Sequence, residues 1–166
     1  QHPSEVQKLV ASTLGIALNR VTVSVRRMGG AFGGKETQAA PLACIAALFA
    51  RRPGRAIKYR MPRQQDLMQT GKRHDFVTEK RWGFDDQGVI QAAELTLAAR
   101  CGYSADLSDS IVDRAMFHAD NAYCLQNAQI TGYRCRTNTV SNTAFRGFGG
   151  PQGMLTIEAA MDHMAS

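Results

Sequence analysis

A chain of 166 residues, 44% hydrophobic and 20% charged, is long enough to bury one core and nowhere has the composition of a disordered tail. Its net charge of +6 favours anionic ligands, yet Asp and Glu are spread along the whole chain, so no nucleic-acid partner is required. No apolar run reaches the roughly 20 residues of a membrane span, and no membrane role is expected.

In chain order, Pro3 suits a first helical position and Ser4 with Gln7 has capping-box spacing, which predicts a helix to about Leu14 stopped by Gly15. Val21, Val23 and Val25 alternate, predicting a strand over 19–27. Residues 36–52 read as a helix, with Pro41 tolerable near its start and Gly54 marking its end. A short strand is expected over 55–60. Strands over 74–84 and 89–100 flank Asp85-Asp86-Gln87-Gly88, a good hairpin signal. Residues 109–119 show helical spacing, 128–136 read as a strand, and a last helix starts at Pro151. The expected fold class is α+β, one mixed unit without linkers or low-complexity segments. Cys44, Cys101, Cys124 and Cys135 are far apart, with no close pair of metal-finger type; they read as reduced, buried thiols, and a cytoplasmic location is expected. Gln1-His2-Pro3 is not an initiator sequence, and the chain stops inside a helical pattern, so a segment of a longer protein is expected.

Two glycine-rich loops stand out. Met28-Gly29-Gly30-Ala31-Phe32-Gly33-Gly34-Lys35-Glu36-Thr37-Gln38 lies between the predicted first strand and a helix, where free backbone N–H groups can meet a ligand. Ser141-Asn142-Thr143-Ala144-Phe145-Arg146-Gly147-Phe148-Gly149-Gly150-Pro151-Gln152 again sets phenylalanine beside paired glycines ahead of a helix, suggesting two walls of one site. Gly29, four residues and then Gly34-Lys35 approach a phosphate-binding P-loop. Glu36, however, stands where a magnesium-binding hydroxyl is needed, and its carboxylate would repel phosphate oxygens. Dinucleotide spacing fails as well, because Ala31 occupies the middle glycine position. Residues 51–63 hold six Lys and Arg and no acid, which reads as a solvated face; a non-catalytic basic module that binds nucleotides is the alternative.

The two loops, from Arg27 to Thr37 and from Ser141 to Gly153, resemble the molybdenum-cofactor domain of the xanthine dehydrogenase family. The resemblance continues through Gly102-Tyr103-Ser104-Ala105-Asp106-Leu107-Ser108 and the stretch from Asp113 to Tyr123, so it covers essentially the whole chain. It implies a partial molybdopterin-binding domain of α+β class, with residues 1–166 as a single segment of something larger. Such enzymes are molybdenum hydroxylases that oxidise hypoxanthine and xanthine to urate with oxygen taken from water. The implied cofactors are molybdenum-molybdopterin here and [2Fe-2S] and FAD on other domains or subunits. The implied partners are those domains, the remainder of the molybdopterin domain and a purine, in an oligomeric full enzyme. An aldehyde oxidase-type hydroxylase is the other family reading. The family's catalytic glutamate belongs to a region beyond Ser166, so the isolated chain is expected to be inactive.

The same resemblance assigns residues. Gln1 matches a glutamine lying against the molybdenum ligands, Phe32 and Gly33 the loop backbone beside the metal centre, and Arg146 the loop main chain approaching from the other side, with Ala144 and Phe145 leading into it. Phe148 matches the ring that stacks on the purine, and Glu36 and Arg114 the two polar residues that hold it and serve the catalytic step. Aldehyde oxidases typically lack that acid and base pair, so both together point to a purine. Each residue has a plainer reading. The phenylalanines would be core aromatics, Glu36 a helix N-terminal acid, and Arg114 half of a surface pair with Asp113. His118 is taken as structural, having no second ligand at metal spacing.

Overall fold

Helix α1 spans Pro3–Leu14, starting on the proline and ending at Gly15, whose left-handed backbone (φ 63°) lets its N–H reach back to the carbonyls of Ala11 and Ser12. The expected capping box does not form. Pro3 starts the helix after His2, which puts Ser4 inside the first turn, and no side chain caps it. The computed structural model describes residues 1–52 and 54–166, and these divide into two compact units, Gln1–Gly71 and Lys72–Ser166.

In the first unit α1 is followed by a 3-10 turn at Leu18–Arg20, then by α2 (Ala39–Arg51) and α3 (Arg63–Gln69). Val6 and Val10, one turn apart, bury against Ala40 with Val21, Val23, Ala43 and Cys44 packed around them. Residues 19–27 are not the expected strand. Val21 is extended, but Val21 and Val23 are used to pack on α1 while Val25 is exposed, and among the described residues no second strand of this unit supplies a ladder. The expected strand at 55–60 is likewise absent, since those residues are exposed on both faces. Helix α3 was not expected; Pro62, at φ −61°, pre-sets its entry, and the Thr70 hydroxyl closes it on the Asp66 carbonyl at 2.6 Å. Helix α2 starts at Ala39 and not at 36, because Gly33 and Gly34 hold positive φ and the Gln38 side chain accepts the Gly71 N–H at 2.8 Å.

The second unit runs β1 (Phe76–Phe84), β2 (Ile90–Gly102), α4 (Ser108–Phe117), β3 (Ala128–Arg136) and α5 (Gly150–Ala165). The hairpin forms as expected. The Asp85 carboxylate accepts the N–H groups of Gln87 at 3.0 Å and Val89 at 2.9 Å, and the Val89 bond above all holds its pKa below the ordinary value. Strand order is β1-β2-β3, with β1 antiparallel and β3 parallel to β2, and α4 carries the chain between the parallel pair. On the inner face of β2, Leu95, Leu97, Ala99 and Cys101 alternate into a core closed by Val112, Ala115 and Ala119. A Cβ on Gly149 or Gly153 would meet the carbonyl oxygens of Ile111 or Ala115, so glycine there is what lets α5 lie against the α4 backbone.

The α+β class therefore stands, as helices and one small mixed sheet. The cysteines correct one expectation. Cys101 is buried and Cys44 partly so, but Cys124 and Cys135 are exposed, Cys135 on the outer part of β3. Among the described residues no helix is long and apolar enough to cross a membrane.

Candidate functional site

The first loop is braced by its own lysine. Lys35 Nζ donates to the Gly30 carbonyl at 2.6 Å, and the Lys35 backbone N–H donates to the Glu36 carboxylate at 3.1 Å. With its ammonium engaged inside the loop, Lys35 does not stand as a phosphate-reaching P-loop lysine. Glu36 is half-buried and lies before the first turn of α2, which contains no acid, so the helix-dipole reading of this residue does not hold. Phe32 is 65% exposed at φ 53°.

Gln1 belongs to a cavity of about 370 Å³ shared with His2, Pro3 and residues 25–28, the segment that runs into this loop. Its side-chain oxygen is buried and has no partner among the described residues. An amide oxygen shut away from water without a donor is costly, by about 1–3 kcal/mol, unless another group meets it.

The second loop is stitched to the sheet before it turns outward. Asn142 donates its backbone N–H to the Cys101 carbonyl and its side-chain amide to the Arg100 carbonyl, each at 2.9 Å; the Thr143 N–H donates to the Lys72 carbonyl, also at 2.9 Å. Asn142, Thr143 and Ala144 are buried, whereas Phe145 and Arg146 emerge. Arg73 then grips the emerging turn. Its Nη2 donates to the Arg146 carbonyl at 2.7 Å, and its guanidinium lies 4.5 Å from the centre of the Phe145 ring. Phe148 follows at φ 49°, its N–H on the Phe145 carbonyl at 2.7 Å. Both loops thus hold a phenylalanine in the left-handed region, which for a bulky residue costs on the order of 1–3 kcal/mol and persists only where the surroundings impose it.

Gly149, next to Phe148, packs on the α4 backbone at Ile111 and Ala115, the turn that carries Arg114. The backbone after Phe148 thus lies against the turn of α4 that carries Arg114. Arg114 is exposed, and its guanidinium has no hydrogen-bond or ion-pair partner among the described residues. It is not half of a pair with Asp113, because Arg134 takes the Asp113 carboxylate and lies 3.6 Å from that of Asp109.

Beneath the loop His74 Nε2 meets Ser108 Oγ at 2.7 Å, and Gln152 donates to the His74 carbonyl at 3.0 Å. A serine and histidine in contact invite a nucleophile reading, but their exposures of 0% and 2% close them to any substrate. Burial pushes the His74 pKa down; the Thr143 backbone and the charges of Asp106 and Asp75 only partly oppose it. His118, half-buried, lies edge-on to the exposed Phe117 ring at 5.3 Å. Among the described residues no three His, Cys, Asp or Glu side chains cluster as a metal site.

Gln1, Phe32, Gly33 and Glu36 thus belong to the first unit, and Arg114, Ala144, Phe145, Arg146 and Phe148 to the second. Sequence reasoning missed Arg73. It acts on a carbonyl 73 positions away, and nothing in Lys72-Arg73-His74 signals that partner.

The whole chain, residues 1–166, matches the family model described as molybdopterin cofactor-binding domain. It is 46% identical over 165 residues to xanthine dehydrogenase/oxidase of Mus musculus, covering 99% of this chain, and 45% identical over 166 residues to xanthine dehydrogenase of Oryza sativa subsp. japonica, covering all of it. The chain spans 12% of the length of each of these relatives. Among solved structures, the aldehyde oxidoreductase of Desulfovibrio gigas superposes with a TM-score of 0.83 at 28% identity, over 96% of this chain and 17% of that one.

Proposed function

This chain belongs to the molybdopterin cofactor-binding domain family, and on that premise we propose that it is the cofactor- and purine-binding segment of a molybdenum hydroxylase of the xanthine dehydrogenase kind. Bound molybdenum-molybdopterin supplies a two-electron oxidation that places water-derived oxygen on an electron-poor carbon. The residues present suit such a group: the buried, unpaired side-chain oxygen of Gln1 awaits a donor, and the first loop offers backbone at glycines that no Cβ shields. In this reading Gln1, Phe32, Gly33, Ala144, Phe145 and Arg146 serve the cofactor.

The observation that most supports a purine is the free guanidinium of Arg114 on the α4 turn against which Gly149, the residue after Phe148, is packed. Attack on a purine carbon pushes negative charge onto the ring. A guanidinium on a ring carbonyl stabilises that charge most when it is fully developed, and its own charge does not titrate. Phe148 lies flat on the base, and Glu36 pairs with a ring nitrogen or its proton to fix which edge faces the cofactor. The reading extends to the full enzyme: hypoxanthine and xanthine as substrates, electrons passed to [2Fe-2S] and FAD domains or subunits, an oligomer in the cytoplasm.

The test is metal and pterin analysis of the full-length protein together with its turnover. About one molybdenum per chain and urate from xanthine are expected. Active protein without molybdenum overturns the reading, and turnover of aromatic aldehydes with none of purines replaces it by the aldehyde oxidase-type alternative.

A further inference from the structure

Arg73 stands outside every role assigned above, yet it touches the second loop twice. Nη2 holds the Arg146 carbonyl at 2.7 Å, and the same guanidinium plane covers the Phe145 ring at 4.5 Å. Nη1 is buried without a partner among the described residues. A guanidinium nitrogen buried without a partner on a half-buried side chain is not what fold stability alone favours, because an apolar side chain of like length would avoid its desolvation.

We infer that Arg73 is a positioning residue that fixes the main chain of the second glycine loop at Arg146, an inference that rests on the proposed reading, in which that main chain meets the cofactor. The two contacts are complementary. The hydrogen bond sets where the Arg146 carbonyl points, and the stacking sets the plane of the ring before it, so together they fix the main chain from Phe145 to the Arg146–Gly147 peptide. The run-in through Asn142 and Thr143 is already tied to β2 and to Lys72, and Gly149 is pressed on α4. The peptide at Arg146 is the part left to an external brace. Lysine cannot replace it fully, since an ammonium offers a hydrogen bond without a plane to stack.

The experiment uses the full-length enzyme carrying Arg73→Met and Arg73→Lys. Three readouts are taken: tryptic cleavage after Arg146, pterin retained through dialysis, and kcat against KM on xanthine. Arg73→Met should raise both the cleavage rate and the rate of pterin loss by about tenfold, the size of one charge-assisted hydrogen bond. Its thermal midpoint should stay at that of the parent, and kcat should fall more than KM rises; Arg73→Lys should fall between Met and the parent. Parent-like cleavage and retention in Arg73→Met would overturn the inference, as would a loss of midpoint proportional to the loss of pterin. Should Arg73→Met not accumulate, Phe145→Leu removes the stacking half and should raise cleavage by about threefold; no change there also overturns it. A parent enzyme without molybdenum would sink the functional reading, while cleavage after Arg146 would still judge the brace.

Discussion

Arg114→Met isolates the electrostatic part of the proposed chemistry. Methionine keeps an unbranched stem on α4 while deleting the guanidinium, and the fold should barely respond, because the side chain is exposed and pairs with nothing among the described residues. Such a surface change is usually within about 0.5 kcal/mol of neutral. The rate should respond strongly. Deleting one preorganised donor to a developing negative charge costs about 2.7–4 kcal/mol, and at 1.36 kcal/mol per tenfold this is a loss of about 100- to 900-fold in kcat on xanthine. KM should move little, since the donor is worth most in the transition state. Arg114→Lys should recover part of the rate, keeping the charge but not the fork. Glu36→Val should impair most those purines that need a second polar contact. The assay compares the variants in the full-length enzyme, normalised to bound molybdenum, on xanthine, hypoxanthine and an aromatic aldehyde, which has no purine ring to hold. Equal losses on all three would mean that the pair supports the fold or the cofactor, and the purine assignment would fall.

Phe148→Leu should weaken purine binding by about 1 kcal/mol beyond the lost contact area, read as a rise in the inhibition constant of a purine analogue, with the saturated rate nearly kept. Leu97→Ala, at a side chain with no exposure between β2 and α4, should cost about 2–5 kcal/mol, read from chemical denaturation of the full-length protein. His74 gives a pH dependence of definite sign. Its folded pKa lies below the ordinary 6.5, so its contribution to stability is complete above that value and is lost as pH falls through the lowered pKa, with a slope of at most about 1.4 kcal/mol per pH unit. His74→Gln should flatten that slope in urea midpoints taken between about pH 5 and pH 7; an unchanged slope would assign it to other groups.

The sequence alone determined what is local. Gly15 as a helix stop and the Asp85 to Gly88 hairpin turn were legible, because each depends on a backbone preference or a short hydrogen bond within a few residues. The family was legible for a different reason: long stretches around both glycine loops resemble it together. The tertiary structure decided whatever needs a distant partner. Valine alternation over 19–27 describes an extended segment equally well whether or not a ladder exists, and here Val21 and Val23 pack on α1 instead. Arg114 next to Asp113 looked like a surface pair until Arg134, from β3, took the acid. Arg73 gave no signal, since its meaning lies in a carbonyl and a ring brought to it by the strands. A residue's propensity is written at its own position, but the hydrogen-bond partner that gives a charged side chain its role is supplied by folding.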